Sequence, residues 1–362
     1  MSPSEQVGLL LIPDISGFTQ FVSEVEISHS KHIISDLLEL LIDSDKLNLQ
    51  LCEVEGDALF FYKQGDIPAF AALLDQVDHW SRSFHSRLRL LERDNYCKCG
   101  ACQGLSNLGL KVVGHCGEFS AYAVKKQVKV MGEDVILVHR MLKNSVVGQD
   151  YALFSRSLTN RIGTDRARNA GFHEHQETYE TFGEVPMDYL DLSGLAAEVP
   201  PAPPRRISRP SREFHAEVDI KAALDPVVKV VADVETWPSW ITGLSHIDMD
   251  RSAPVQVGHH HVCVFPGSPL SITLEEILAE RDEFTLVNSI APPPMLKRLM
   301  SIIHVQQRES HVKVRFTYHY SPKFWTRRKF EKEVAPDMLE RARLSLQNLK
   351  TLVEEGPSAA AG

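Results

Sequence analysis

Two aspartates stand where apolar runs break off. VGLLLI reads as a buried strand, and PDISGFTQF follows it with Asp14 at the strand's mouth and Gly17 three residues on. A second carboxylate, Asp57, sits in LQLCEVEGDALFFYKQ at the Gly56-Asp57 step between two short strands. A pair of carboxylates brought together at one end of a sheet can hold Mg²⁺ or Mn²⁺ against a triphosphate, as two-metal phosphoryl transfer requires. The plainer alternative is that Asp14 caps the following helix and Asp57 fills an ordinary turn. A third constellation is NYCKCGACQG, where Cys97, Cys99 and Cys102 form C-x-C-x₂-C. Three thiolates in a short glycine-bearing loop suit Zn²⁺ or an Fe–S cluster, with His115, Cys116 or Cys52 as candidate fourth ligand. Reduced thiols, or a redox switch, are the competing reading.

The elements that must position these residues follow from periodicity. Residues 7–12 read as a strand and about 17–48 as two helical segments, HIISDLLELLIDS having apolar residues at helical spacing. IPAFAALLDQVDHWSRSFHSRLRLLER is a long amphipathic helix, LGLKVVGHCGEF and SAYAVKKQVKVM two further strands, EDVILVHRMLKNSV a helix and DYALFSRSL a strand. The order is close to βαββαββ, an α+β arrangement with helices on one side of an antiparallel sheet. EVPPAPPRRISRPSR, rich in proline and arginine, reads as an extended linker at 198–211, splitting the chain into domains at 1–197 and 212–356 with a tail at 357–362.

The chain of 362 residues is 43% hydrophobic and 24% charged, with a formal net charge of −9. That composition is globular, and the charge argues against general nucleic-acid binding or attraction to anionic membranes. No apolar run is long enough for a membrane span, and MSPSEQVGLLLI lacks the positive n-region of a secretory signal. A cytoplasmic location, with no nucleic-acid or membrane partner, is expected.

DISGFT at 14–19, EVEGDALFF at 53–61, LKVVGHCGEFSAYAV at 110–124 and MGEDVILVHRM at 131–141 occur in that order. Together they resemble the signature blocks of class III adenylyl and guanylyl cyclases, and GQDYALFSRSL and FGEVPMDYLDL resemble that domain's later strands. The match spans about 7–193. It also resembles a little-characterised bacterial branch that carries a cysteine cluster and is fused to a lipid-binding-like domain. The resemblance implies a ferredoxin-like βαββαβ core, a head-to-tail homodimer with shared sites, and a nucleoside triphosphate held through Mg²⁺ or Mn²⁺. It makes Asp14, the adjoining Ile15 and Asp57 metal positions, Arg140 the transition-state arginine, and Glu53 and Lys129 the base-reading pair. Two positions depart from the pattern. Ile136 stands where a ribose-orienting asparagine is expected, with Asn144 a substitute on the same helix face. Lys129 stands where aspartate, threonine or cysteine is expected, and an ion pair with Glu53 would either close the purine pocket or read a base in an unfamiliar way.

Beyond the linker, REFHAEVDI alternates as a strand, ADVETWPSWITGL suggests two short helices, a series of strands follows, and EVAPDMLERARLSLQNLKTLVEE is a long closing helix. The order resembles the helix-grip fold of the START and polyketide-cyclase-like superfamily, which implies an apolar cavity for a hydrophobic small molecule. Trp237 and Trp240 are expected to pack the short helices. His259, His260 and His261 alternate faces on a strand, so at most two converge. FWTRRKFEK at 324–332 is a basic-aromatic stretch, expected to be a solvated face or to touch an acidic partner or the other domain.

The leading expectation is a divergent cyclase-like signalling protein with a ligand-binding helix-grip domain. The alternatives are a catalytically inactive nucleotide- or small-ligand-binding module and a cysteine-centred metal or redox sensor. The last predicts stoichiometric zinc or iron in the purified protein by elemental analysis, lost in Cys99→Ser; metal-free wild type dismisses it.

Overall fold

The computed structural model describes residues 6–23, 27–94, 104–125, 127–203, 205, 207–249 and 257–356. The chain forms two compact units that part between Ala202 and Pro203.

The first unit is built on β1 (Gln6–Ser16), flanked by β3 (Ala58–Gln64) on one side and β4 (Gly109–Val124) on the other, both antiparallel. β2 (Gln50–Glu55) pairs with β3 through the two-residue Gly56-Asp57 turn. The resulting order β2-β3-β1-β4 is the ferredoxin-like arrangement. β6 (Tyr151–Ser155), β8 (Gly183–Asp191) and β7 (His173–Tyr179) extend it beyond β4, while β5 (Gln127–Met131) folds back on β4 as a hairpin. The alternation of β1 puts Leu9, Leu11 and Ile15 into one core and Leu10 and Ile12 into another.

The helices divide accordingly. α1 (Phe18–Ser23), α2 (Ile27–Asp43) and α3 (Phe70–Asp94) come in chain order on the first face, α3 burying Leu73, Val77, Trp80 and Phe84 there. α4 (Glu133–Met141) lies on the other face, where Val135, Val138 and Met141 meet Leu10 and Ile12. α5 (Arg156–Ile162), α6 (Thr164–Asn169) and α7 (Ser193–Glu198) complete the unit.

Several expectations are corrected. Helices cover both faces of the sheet rather than one, because β1 is buried from Gly8 to Pro13 and sends Leu9 and Leu11 to one face and Leu10 and Ile12 to the other. The sheet is mixed, since β4 and β6 run parallel. The two strands expected between 108 and 131 are one strand to Val124 and a short hairpin partner. β6 stops at Ser155, whose side chain caps α5 by accepting from the Leu158 N–H at 3.4 Å. β7, with the polar sequence HEHQETY, lacks an apolar face that periodicity could detect.

The second unit is a seven-stranded antiparallel sheet in the order β10-β11-β12-β13-β14-β15-β9. These are β9 (Arg212–Ile220), β10 (His246–Asp248), β11 (His260–Phe265), β12 (Ser268–Ala279), β13 (Glu283–Ile290), β14 (Leu296–Gln307) and β15 (Val312–Pro322). α8 (Leu224–Ala232), α9 (Trp237–Trp240) and the long α10 (Ala335–Glu355) share one core with the sheet. α10 is entered through a helical turn at Arg327–Lys329 and a π-turn at Phe330–Val334. Trp237 and Trp240 are buried in that core, and the Trp237 indole N–H donates to Val231 O at 3.0 Å. No helix of the described residues is long and apolar enough to cross a membrane.

Gly17 is where β1 hands over to α1. Its φ is +83°, and a Cβ there would stand 2.5 Å from Asn107 O. Gly17→Ala is therefore expected to cost about 1–3 kcal/mol, read as a lowered midpoint in denaturant unfolding; an unchanged midpoint would show that the Asn107 segment yields freely.

Candidate functional site

The β1 register decides which polar groups meet. Asp14 is opposite Ala58 on β3 and Lys111 on β4, and Lys111 is in turn opposite Tyr151 on β6. Directly opposed residues share a face, so Asp14, Lys111 and Tyr151 form a polar row across an otherwise apolar surface. The Ile15 N–H donates to Asp57 O at 3.1 Å, folding the β2–β3 turn over the end of β1. Asp14 and Asp57 are thus brought together, as expected from the sequence. Between them comes a group that the sequence reading missed: Lys111 Nζ lies 2.7 Å from Asp14 Oδ2, with both side chains largely buried. A lone lysine in the apolar run LGLKVVG was the signal available.

Electrostatics follow from this crowding. Burial, then the neighbouring Asp14 carboxylate, pushes the Asp57 carboxyl up to about 6, with Lys111 opposing. Burial also raises the Tyr151 phenol, opposed by its hydrogen bond to Asn144 and by Lys111.

The other sequence-derived positions separate. Glu53 and Lys129 are brought together, Nζ to Oε2 2.6 Å, joining β2 to β5. Arg140 is exposed on α4 and makes no side-chain ion pair among the described residues. Asn144 is not on that helix face, because α4 ends at Met141. Its amide donates to Met141 O at 2.9 Å, and its Oδ1 accepts from the Val146 N–H and the Tyr151 hydroxyl, both at 3.1 Å. It shapes the turn after α4 rather than continuing the helix face of Ile136 and Arg140. The Ile15 side chain is buried in the core, which leaves only its backbone carbonyl to offer a cation. Cys97, Cys99 and Cys102 lie outside the described residues. Among the described residues, no group of three or more His, Cys, Asp or Glu is arranged to hold a metal.

A second polar cluster was also missed. Buried His115 on β4 meets Asp134 Oδ1 at 2.8 Å through Nε2 and Ser155 Oγ at 2.7 Å through Nδ1. Asp134 also accepts from the Glu118 N–H at 2.6 Å. The His115 hydrogen bond outweighs burial and holds the Asp134 carboxyl below its usual range. Gly117 makes the clamp sterically feasible, because a Cβ there would fall 2.1 Å from Asp134 Cγ. With both ring nitrogens engaged, His115 is not available as the fourth ligand of a cysteine-bound metal.

In the second unit, His259 and His261 are buried while His260 is exposed, as alternation requires. Neither ring nitrogen of His261 has a hydrogen-bond partner among the described residues, and the same holds for Trp240 Nε1 and Asn288 Oδ1. Burial drives the His261 imidazole down to about 4, so it is neutral at physiological pH.

A Mycobacterium tuberculosis (strain ATCC 25618 / H37Rv) protein described as "Uncharacterized protein Rv2561/Rv2562" is 33% identical over 171 residues, covering 47% of this chain and 78% of that protein. The chain belongs to the family of that protein. Residues 34–151 match the model of a family described as "Protein of unknown function (DUF2652)", and residues 211–354 that of "Polyketide cyclase / dehydrase and lipid transport". Similar solved structures include the guanylyl cyclase Cya2, 15% identical with a TM-score of 0.38, covering 52% of this chain and 93% of that one. The adenylyl cyclase CyaB from P. aeruginosa is 11% identical with a TM-score of 0.37, covering 53% and 97%. Truncated norcoclaurine synthase from Thalictrum flavum is 15% identical with a TM-score of 0.34, covering 42% and 98%. The chain is an α+β protein in which a unit with a ferredoxin-like core is followed by a helix-grip unit.

The raised Asp57 carboxyl has a measurable sign. Its ionisation is disfavoured by folding, so its contribution is fully present below the unfolded value near 3.8 and lost as pH rises through about 6. Asp57→Asn is expected to melt above wild type at pH 7 and to match it below about pH 4. Thermal unfolding across that range checks this, and parallel curves would refute it.

Proposed function

We propose that the first unit is a regulatory module that binds a nucleoside triphosphate without cyclising it, and that the second binds a hydrophobic small molecule. The observation that carries the reading is the Lys111 ammonium seated 2.7 Å from Asp14. Two-metal catalysis needs the carboxylates to face the cations with their full charge. Here one of the two carboxylates is already paired with an ammonium of the protein's own. A divalent ion must therefore displace Lys111 before it can bind. Exposed Arg140 remains suited to phosphate, and the Glu53–Lys129 pair borders the base position. With Ile136 apolar and Asn144 engaged in its turn, no side chain at those positions orients a ribose hydroxyl for attack.

Dimerisation is part of this reading. Leu51 and Val54 on β2, Tyr122 and Val124 on β4, Val128 and Met131 on β5 and Ile136 on α4 are all exposed. Tyr122, Val124 and Met131 share one face of the β4–β5 hairpin, and a second copy of the chain is the occupant we assign to it. In the second unit, the unpartnered polar atoms of His261, Trp240 and Asn288 inside an apolar core favour a ligand that is mainly hydrophobic with one polar group.

The test combines calorimetric titration of ATP and GTP with product assays in Mg²⁺ and Mn²⁺. Saturable binding without cyclic nucleotide is expected. Lys111→Ala should admit Mn²⁺ to the carboxylate pair, seen by electron paramagnetic resonance as at least about a tenfold gain in affinity over wild type. Cyclic product from wild type that Asp57→Asn abolishes would overturn the proposal.

A further inference from the structure

The turn between β15 and α10 carries the sequence KFWTRRKFEK, with five cations and one carboxylate in ten residues. Phe324 is 87% exposed and Trp325 83%, their ring centroids 6.0 Å apart at 85°. Exposure on this scale is unusual for adjacent large aromatics, and it is imposed by a well-anchored turn. The Lys323 N–H and the Thr326 hydroxyl both donate to Met295 O, at 3.0 and 2.7 Å. Phe330, fully buried, pins the other end against Tyr320 with ring centroids 4.9 Å apart. The backbone is thus fixed on both sides of two rings that face solvent.

The charges around them are unbalanced. Glu331, the one carboxylate in the stretch, is bonded to Arg212 at 2.9 Å and to Arg327 at 3.2 Å. Arg328, Lys329 and Lys332 are exposed and have no ion-pair partner among the described residues. A cleft of about 510 Å³ is lined by Phe324, Trp325, Arg327, Arg328, Lys332 and Glu331, the last already paired with Arg212 and Arg327.

We infer that this turn docks the chain on an anionic lipid surface, with Phe324 and Trp325 entering the headgroup–acyl boundary and Arg328, Lys329 and Lys332 meeting anionic headgroups. The combination is what an interfacial anchor needs: aromatic rings that favour the membrane–water boundary and cations attracted to its surface charge. The size of the patch separates a bilayer from a protein partner. Two aromatics present roughly 300–500 Å², about half of the ~800 Å² that each side of a stable protein–protein interface buries. A bilayer requires no matching surface. The overall charge of −9 does not forbid the contact, because charges farther than about 8 Å are largely screened at physiological ionic strength and the local field is positive.

The chain supplies its own probe. Of its four tryptophans, Trp80, Trp237 and Trp240 are buried, so a polarity-driven change in emission reports Trp325. The experiment titrates the full chain with phosphatidylcholine vesicles with and without phosphatidylglycerol, following Trp emission and co-sedimentation, and repeats the titration with brominated acyl chains. A blue shift and bromine quenching with the anionic vesicles are expected, with binding at least about tenfold tighter than to phosphatidylcholine alone. Phe324→Ala with Trp325→Ala should lose at least about tenfold in sedimentation. Arg328→Glu with Lys329→Glu should abolish the preference for anionic vesicles while leaving the melting temperature unchanged. No shift in Trp325 emission with anionic vesicles overturns the inference. So does sedimentation that ignores Phe324→Ala with Trp325→Ala, or a Trp325 shift produced by polyglutamate and not by vesicles.

Discussion

The antiparallel register of β1 against β4 sets Asp14 directly across from Lys111, and the character of the first unit depends on that pairing. Two carboxylates converge at the end of β1 because the β2–β3 turn is tied to it by the Ile15–Asp57 hydrogen bond. Without a cation such a meeting would be strongly unfavourable in a half-buried place. The fold provides the cation from its own neighbouring strand. The polar row then continues to Tyr151 and Asn144, whose hydrogen bonds close the turn after α4.

Around this row the sheet is apolar on both faces, so any polar group there must find its partner within the protein. The His115–Asp134–Ser155 cluster obeys the same rule one turn further along β4, where Gly117 lets the Asp134 carboxylate approach the strand. These two internal clusters anchor α4 and α5 to the central strand. They leave Arg140 and Ile136 facing outward, one charged and one apolar, on the same helix.

The second unit shows the opposite economy. His261, Trp240 and Asn288 keep buried polar atoms without partners among the described residues, and Phe324 and Trp325 keep apolar surface in solvent. Each arrangement is unfavourable for the isolated chain, since a buried orphan donor or acceptor forgoes its hydration and an exposed aromatic forgoes the free energy of burial. Their persistence in a unit with a well-formed seven-stranded sheet is what the two proposals, a ligand in the core and a lipid surface at the turn, draw on.

Much was legible from the residues themselves. The long apolar β1, the Gly56-Asp57 hairpin, the amphipathic α3 and the closing α10 all follow from local periodicity and turn chemistry, which operate over a few residues. The alternation of His259, His260 and His261 is likewise a local property of an extended chain. What only the tertiary structure decided is non-local. Strand register made Lys111 the partner of Asp14, and nothing in LGLKVVG specifies which strand will lie opposite. The early end of α4 removed Asn144 from the helix face, because its hydrogen bonds to the Val146 amide and the Tyr151 hydroxyl are made in a turn after that helix. Likewise, whether Phe324 and Trp325 are packed or exposed depends on Met295 and Phe330 fixing the turn from either side. Periodicity names the elements; pairing between distant segments chooses which charges meet.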